Sequence, residues 1–244
     1  MNATLTLATA RRILTQLRHD HRTVALMILV PSLLLVLLRY VFNSEQAFSA
    51  AAPALLAVFP FAIMFIVTSI TTLRERTTAT LERLMTMPIA KLDLLFGYGI
   101  AFGLVAVLQV LVAAGISLTW LGLDIDGSVG LLLLIAVLDA LLGTALGLLA
   151  SAFARTEFQA VQFMPAIVMP QVLLCGLFAP REAMTPVLEW LSNFMPLSYA
   201  VDALTQVTHS SDVDVTLVRN LLIVAGCGLL ALILGAATLR RRTP

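Results

Sequence analysis

The stretch APALLAVFPFAIMFIVTSITTL, Ala52 to Leu73, has no charged residue across its whole length. A helix needs ~20 predominantly apolar residues to cross ~30 Å of hydrocarbon, so this segment reads as a membrane span. Five more stretches of the same kind flank it: Val24 to Val41, Leu94 to Trp120, Val129 to Phe153, Phe158 to Phe178 and Val218 to Leu239. The chain is therefore expected to be an all-α polytopic membrane protein with six transmembrane helices. Composition agrees, because 60% hydrophobic and 12% charged residues lie far from the roughly 25% charged of a soluble domain.

The polar pieces between the spans test the count. With a cytoplasmic amino terminus, six crossings place Arg11, Arg12, Arg18, Arg22, Arg74, Arg76, Arg83, Lys91, Arg155 and Arg240 to Arg242 inside. Only Arg39, Arg181 and Arg219 then lie outside, a division of 12 to 3. That is the asymmetry of the positive-inside rule, and it puts both termini in the cytoplasm. The net charge of +1 conceals these two surfaces. The basic residues border a membrane instead of forming a groove, so no nucleic-acid partner is expected. Met1 to Arg22 lacks the apolar core and small-residue cleavage pattern of a signal peptide, and the first span is expected to stay in the mature protein.

One membrane domain over residues 1–244 is expected, with no soluble domain, since none of the polar segments reaches the ~50 residues of an independent core. In residues 1–22, Ala10, Ile13, Leu14 and Leu17 share one helical arc beside Arg11, Arg18 and Arg22, which reads as a helix lying along the inner leaflet. It serves as an anchor, or its polar side also meets a cytoplasmic partner. Residues 74–91 form a cytoplasmic loop containing a short helix. In the run LRERTTATLERLMTMPI, Leu73 to Ile89, Thr77 or Thr78 supplies an N-cap, Met87-Pro88 the stop, and Leu81, Leu84 and Met85 an apolar face at i, i+3, i+4. Such knobs fit a partner protein. Residues 179–217 are too polar to span, yet mix Val187, Trp190, Leu191 and Phe194 with Glu189 and Asn193 between Pro180, Pro186 and Pro196. One or two short helices dipping into the outer interface follow.

Here the sequence resembles a known family. Arg74-Glu75-Arg76, then Ala79-Thr80-Leu81-Glu82-Arg83-Leu84 and Thr86-Met87-Pro88-Ile89, resemble the signature of type-2 ABC exporter permeases. Cys175-Gly176-Leu177-Phe178-Ala179-Pro180 and the run from Met195 to Leu204 resemble that family's fifth helix and outer segment, in the flavour of daunorubicin-resistance drug exporters. Pro31 in the first span and the amino-terminal helix extend the similarity over nearly the whole chain. Ala79 stands where the family has Gly, and Met87 replaces a commoner Thr or Ser; Ala favours a short helix more than Gly does.

The resemblance implies a permease that pairs with a second copy or a homologue and sits on two ABC ATP-binding subunits. ATP and Mg would be held by those partners, with no cofactor on this chain. Residues 74–88 would be the coupling helix, with Glu75, Thr80, Leu81, Glu82, Leu84 and Pro88 facing the ATPase. Cargo would be an amphipathic drug, antibiotic or lipid, or alternatively a polysaccharide or glycolipid, exported across the plasma (inner) membrane of a prokaryote. A re-entrant outer piece would act as a gate, with Trp190, Phe194 and Tyr199 its candidates; an amphipathic lid with interfacial anchors is equally economical.

The residues themselves agree on what the chain lacks. No Gly-x-x-x-x-Gly-Lys-Ser/Thr loop is present, and the sole lysine, Lys91, has no glycine-rich lead-in. The chain is not expected to be an enzyme, nor to bind a metal. His19-Asp20-His21 supplies too few ligands, and His209-Ser210-Ser211-Asp212 holds hydrolytic residue types without triad geometry. Cys175 and Cys227 fall within spans and behave as small apolar side chains. Asp139 lies ten residues into the fourth span. A carboxylate there costs ~2.5 to 3.5 kcal/mol on insertion scales, so it should face protein or water. Either it ties helices together through Gln109 or Thr144, or with Gln109 it lines the substrate path; a proton-coupled transporter would also use it. Ala136, Ala140, Gly143, Gly147 and Ser151 on the same span give the small-residue spacing of close helix packing, and Gly99 and Gly103 repeat it on the third.

Overall fold

A computed structural model of the chain describes residues 3–77 and 91–238. These residues are all-helical, with no strand among them. Thr80, Leu81, Glu82, Leu84 and Pro88 of the expected coupling helix lie outside the described residues.

Among the described residues ten α-helices follow one another: α1 Ala3–His19, α2 His21–Phe42, α3 Glu45–Thr77, α4 Lys91–Thr119, α5 Val129–Ser151, α6 Glu157–Phe163, α7 Met169–Leu174, α8 Pro186–Ser192, α9 Pro196–His209 and α10 Val215–Thr238. Five of them, α2, α3, α4, α5 and α10, are long and apolar enough to cross a membrane. The boundaries have local causes. Asp20 caps α2 by accepting from the Thr23 amide at 3.1 Å and the Thr23 hydroxyl at 2.6 Å, which satisfies donors that the first helical turn leaves without partners. Asn43 ends the helix in the left-handed region at φ 46°, a conformation its short polar side chain tolerates.

The expected fifth span differs from a single helix. Residues 157–174 stay helical, but α6 passes through one π-helical stretch, Met164–Val168, before α7 resumes. Pro165 and Pro170 begin the last two pieces. Each proline removes an amide and clashes with the preceding turn, so the ladder is re-registered there. The helix stops at Cys175, because Gly176 turns the chain with φ +96°.

Helix α3 is the centre of the bundle. About two-thirds of its most apolar window is buried, against 22% for α2 and α10, whose Leu26, Leu29, Leu33, Leu222, Leu229 and Leu230 are exposed as a lipid-facing surface would be. Its closest neighbour is α5. A Cβ on Gly143 would collide with the Phe61 backbone, and one on Gly147 with the Thr68 hydroxyl and the Phe65 carbonyl. The small-residue spacing read from the sequence is therefore where two backbones meet. At Gly99, by contrast, no atom of another helix lies closer than 4.0 Å to an added Cβ. That glycine instead helps floor an apolar groove of about 450 Å³ between α4, α5 and α10.

Candidate functional site: a polar node at one end of the bundle

The helix ends gather into two groups of charged contacts. At one end lie the carboxyl end of α3 and the amino end of α4, which flank residues 78–90, together with α1 and the junction between α5 and α6. At the other end Arg39 donates to Glu45 at 2.9 Å and to the Leu121 carbonyl at 3.1 Å, and Arg181 pairs with Asp202. The basic residues that the sequence assigned to opposite sides are thus segregated in space.

Glu75 is the hub of the first group. It is 8% exposed and sits in the last turn of α3. Arg12 of α1 grips its carboxylate with both terminal nitrogens, at 2.9 and 3.2 Å, the two-pronged geometry in which a guanidinium matches a carboxylate best. Tyr98 of α4 donates its hydroxyl to the same carboxylate and accepts from Arg12 at 3.1 Å. With its amide turned, Gln16 donates to the other carboxylate oxygen at 3.0 Å. Burial works against the Arg12 charge, yet the hydrogen bonds and attraction of Glu75, with help from Tyr98, hold its pKa above the ordinary value.

Three further contacts surround this hub. Thr6 of α1 donates to Asp93 of α4 at 3.4 Å, Arg76 donates to the Ser151 carbonyl at the end of α5 at 3.0 Å, and Arg74 pairs with Glu157 at 2.9 Å. The last pair is exposed on both sides and contributes little. Helix α1 is therefore fastened across α4 and onto the base of α3. Its buried face is Ala10, Ile13 and Leu17, three of the four residues of the apolar arc read from the sequence. Side-chain contacts thus link α1, α3, α4, α5 and α6 at this end of the bundle.

The sequence singled out Glu75 but placed Arg12 only in a basic strip, and Tyr98 was lost inside an apolar run. Arg12 and Tyr98 are 63 and 23 residues from Glu75. The one local hint is a tyrosine in the second turn of an otherwise apolar helix.

Asp139 and Gln109 form a second, separate feature. Both are fully buried, and neither has a hydrogen-bond partner among the described residues at any side-chain N or O atom. The expected bonds from Asp139 to Gln109 or Thr144 are not made. The Thr144 hydroxyl is spent on the Ala140 carbonyl one turn back at 3.0 Å, and the Thr144 carbonyl accepts from Thr68 at 3.3 Å. Leaving a buried polar group unpaired costs about 1–3 kcal/mol, so packing alone gives no reason for either residue. Asp139 and Gln109 lie ten residues from the facing ends of α5 and α4, at Val129 and Thr119, and so sit at matching depth in that hairpin. Neither lines the apolar groove or the larger cavity described below.

The opposite end carries the gate candidates. Pro186 and Pro196 start α8 and α9, positions where a missing amide costs nothing. Trp190 and Phe194 meet edge to face at 4.7 Å and are both exposed. Tyr199 donates to the Asn193 carbonyl at 2.8 Å and lies under Arg181, whose guanidinium carbon is 5.5 Å from the ring centre. The Ser192 hydroxyl donates to the Leu174 carbonyl at 2.8 Å, docking the segment onto the end of α7. Tyr199 is thus locked in a polar cluster, whereas Trp190 and Phe194 form an exposed aromatic pair. No cluster of three or more metal-ligating side chains occurs among the described residues.

A bundle of long apolar helices, a basic end with a buried carboxylate hub, and a short helical hairpin at the far end define a polytopic membrane protein of transporter type. Residues 4–208 match the ABC-2 type transporter family, and the chain belongs to it. It is 28% identical over 171 residues to the probable multidrug ABC transporter permease YbhS of Escherichia coli, covering 70% of this chain and 45% of that protein. It is 28% identical over 168 residues to the probable multidrug permease YbhR of the same organism, covering 69% and 45%. ABC transporter G family member 20 of Dictyostelium discoideum is 25% identical over 156 residues, covering 64% of this chain and 21% of that protein. The chain thus spans less than half the length of these relatives.

Proposed function

We propose that this chain is the membrane-spanning permease subunit of an ATP-driven exporter. ATP and Mg are held by a separate ATP-binding subunit, and a second copy of this chain or a homologue completes the path. The observation that carries this reading is the Arg12–Glu75–Tyr98 node. It fixes the base of the loop that contains Leu81 and Glu82 to an amphipathic helix and to the bundle, as a lever requires. Residues 157–174, at about 27 Å for 1.5 Å per residue, act as the sixth crossing, so both termini and residues 74–91 face the cytoplasm of a prokaryotic cell. The whole of 1–244 then acts as one membrane domain, with 1–22 as its interfacial helix and 179–217 as the outer re-entrant segment.

Thr80, Leu81, Glu82, Leu84 and Pro88 serve the ATPase contact, and Glu75, expected beside them, is buried and supports the loop from within the bundle. Trp190, Phe194 and Tyr199 belong to the outer gate, and Asp139 with Gln109, buried inside a single copy, to the substrate path once the helices around them part. The cargo is amphipathic, a drug, antibiotic or lipid-like molecule; the printed descriptions of YbhS and YbhR as multidrug permeases support that choice over a polysaccharide.

The test is copurification. From detergent-solubilised native membranes the intact chain should bring down an ATP-binding protein, and Leu81→Asp should release it while the variant still inserts. If no ATPase accompanies either form, the exporter reading fails, and ion-coupled transport centred on the unpaired Asp139 replaces it.

A further inference from the structure

At the end of the bundle opposite the Glu75 node, a cavity of about 680 Å³ opens between the start of α3, the segment around Arg181, α9 and the first turns of α10. Five charged side chains line it: Arg181, Arg219, Glu182, Glu189 and Asp202. Arg181 and Asp202 neutralise each other as an ion pair, and Arg181 also donates to Asn193 at 2.6 Å. The other three make no ion pair within 4 Å among the described residues, although the Arg219 charge reaches Asp202. Neither Glu182 nor Glu189 has an ion pair or side-chain hydrogen bond among the described residues, and Arg219 makes there only one long hydrogen bond, 3.5 Å to the Asn220 side-chain amide oxygen Oδ1.

One cation and two anions thus face the same cavity without meeting. In water alone this would be an ordinary exposed surface. Two features make it a site. Asn220 is 2% exposed, lines the cavity, and its side-chain amide nitrogen makes no hydrogen bond among the described residues. The opposing wall is Ala50, Ala51 and Ala54 of α3, an apolar strip of the smallest side chains, which leaves room for hydrocarbon directly beside the charges.

We infer that this cavity binds a zwitterionic head group, an ammonium joined to a phosphate, with an apolar tail along the alanine strip. Arg219 and the Asn220 amide take the phosphate, the first as a charge-assisted donor. Glu182 and Glu189 take the ammonium. Thr216, Arg219 and Asn220 lie within the first six residues of α10, the depth of lipid head groups when that helix crosses a bilayer. The same chemistry reaches the cavity from a bilayer lipid or from a soluble phosphodiester. The inference rests on the proposed topology only for which leaflet is involved.

The experiment uses the full chain without any ATPase partner, so its outcome is independent of the copurification test. The protein is reconstituted in nanodiscs of equal phosphatidylethanolamine and phosphatidylglycerol, and retained lipids are counted by native mass spectrometry after partial delipidation. Wild type should retain phosphatidylethanolamine selectively. Glu182→Gln with Glu189→Gln, which removes the ammonium contacts, should cut that selectivity about tenfold, whereas Arg219→Gln, which removes a contact to the phosphate that both lipids carry, should lower retention of both about tenfold. Arg22→Gln, remote from the cavity, should change neither. Unfolding midpoints of the variants, expected to match wild type because the three side chains are exposed, separate lost binding from lost folding.

Calorimetry with glycerophosphoethanolamine distinguishes the sources. Saturable heat that disappears in both variants shows that the head group suffices, whereas no heat beside selective lipid retention assigns the site to bilayer lipid. Equal retention of the two lipids by wild type, selectivity that survives Glu182→Gln with Glu189→Gln, or unchanged retention in Arg219→Gln overturns the inference.

Discussion

Cutting Arg12 away from Glu75 should destabilise the protein far more than a surface ion pair would. The Glu75 side chain is 10% exposed and that of Arg12 27%, which places the pair between two regimes. Exposed pairs are worth about 0–1 kcal/mol, while removing one partner of a fully buried pair costs about 3–5 kcal/mol. With Tyr98 and Gln16 still solvating part of the carboxylate in Arg12→Ala, about 2–3 kcal/mol is expected, within the range for hydrogen bonds to charged groups. Glu75→Gln should cost a similar amount, because it leaves the guanidinium facing a neutral amide. The double variant should cost much less than the sum of the two, since neither charge is then stranded, giving a coupling of at least about 1 kcal/mol. Reversible unfolding in mixed detergent micelles, followed by the fluorescence of Trp120 and Trp190, measures all four states. Additivity within about 0.5 kcal/mol would refute the node as a coupled unit. If the node also transmits force, Arg12→Ala should lower transport while ATP hydrolysis by the assembled complex continues.

Other substitutions probe separate elements. Gly147→Ala drives a methyl group into the Phe65 carbonyl and the Thr68 hydroxyl and should cost about 1–3 kcal/mol, read as a fall of about 2–4 °C in unfolding midpoint per kcal/mol; the same change at Gly226, where nothing lies within 4 Å, should be neutral or better. Asp20→Ala removes the cap of α2 at a cost of about 1 kcal/mol. Hydrogen bonds from the Thr23 hydroxyl and amide hold the Asp20 carboxyl below its ordinary pKa. Its contribution is therefore full above the unfolded value near 4 and lost as pH falls through the lower folded value, so the gap in stability between wild type and Asp20→Ala should narrow as pH falls through that value. Asp139→Asn, close in shape, should fold and reduce export of cationic cargo more than neutral cargo; equal loss for both would assign Asp139 to packing.

Much of the architecture was legible because a bilayer imposes rules that act on short windows of sequence. Apolar length marked the five long helices, and the alternation of arginines gave their expected orientation. Small-residue spacing marked the α5 face that meets α3. The broken fifth segment was legible in principle, from Pro165 and Pro170, but segment length and apolarity register neither the lost amides nor the π-helical turn they produce. Glu75 was visible by resemblance, while Arg12 and Tyr98 carried no local sign of meeting it.

Asp139 shows the same division. Its cost at mid-span follows from chemistry and depth alone, so it stood out in the sequence. Whether Gln109 or Thr144 relieved that cost depended on how α4 and α5 pack, and on a hydroxyl that finds its own helix closer than a neighbour. The sequence by itself determined which segments leave water, which end of each is basic and which residues are costly to bury, because transfer energies and periodicity are properties of the residue and its near neighbours. Only the tertiary structure decided which of those residues meet. Arg12 reaching Glu75, or Arg219 facing Glu182 across a cavity, depends on helix rotation and crossing, and those are set by the packing of the whole bundle at once.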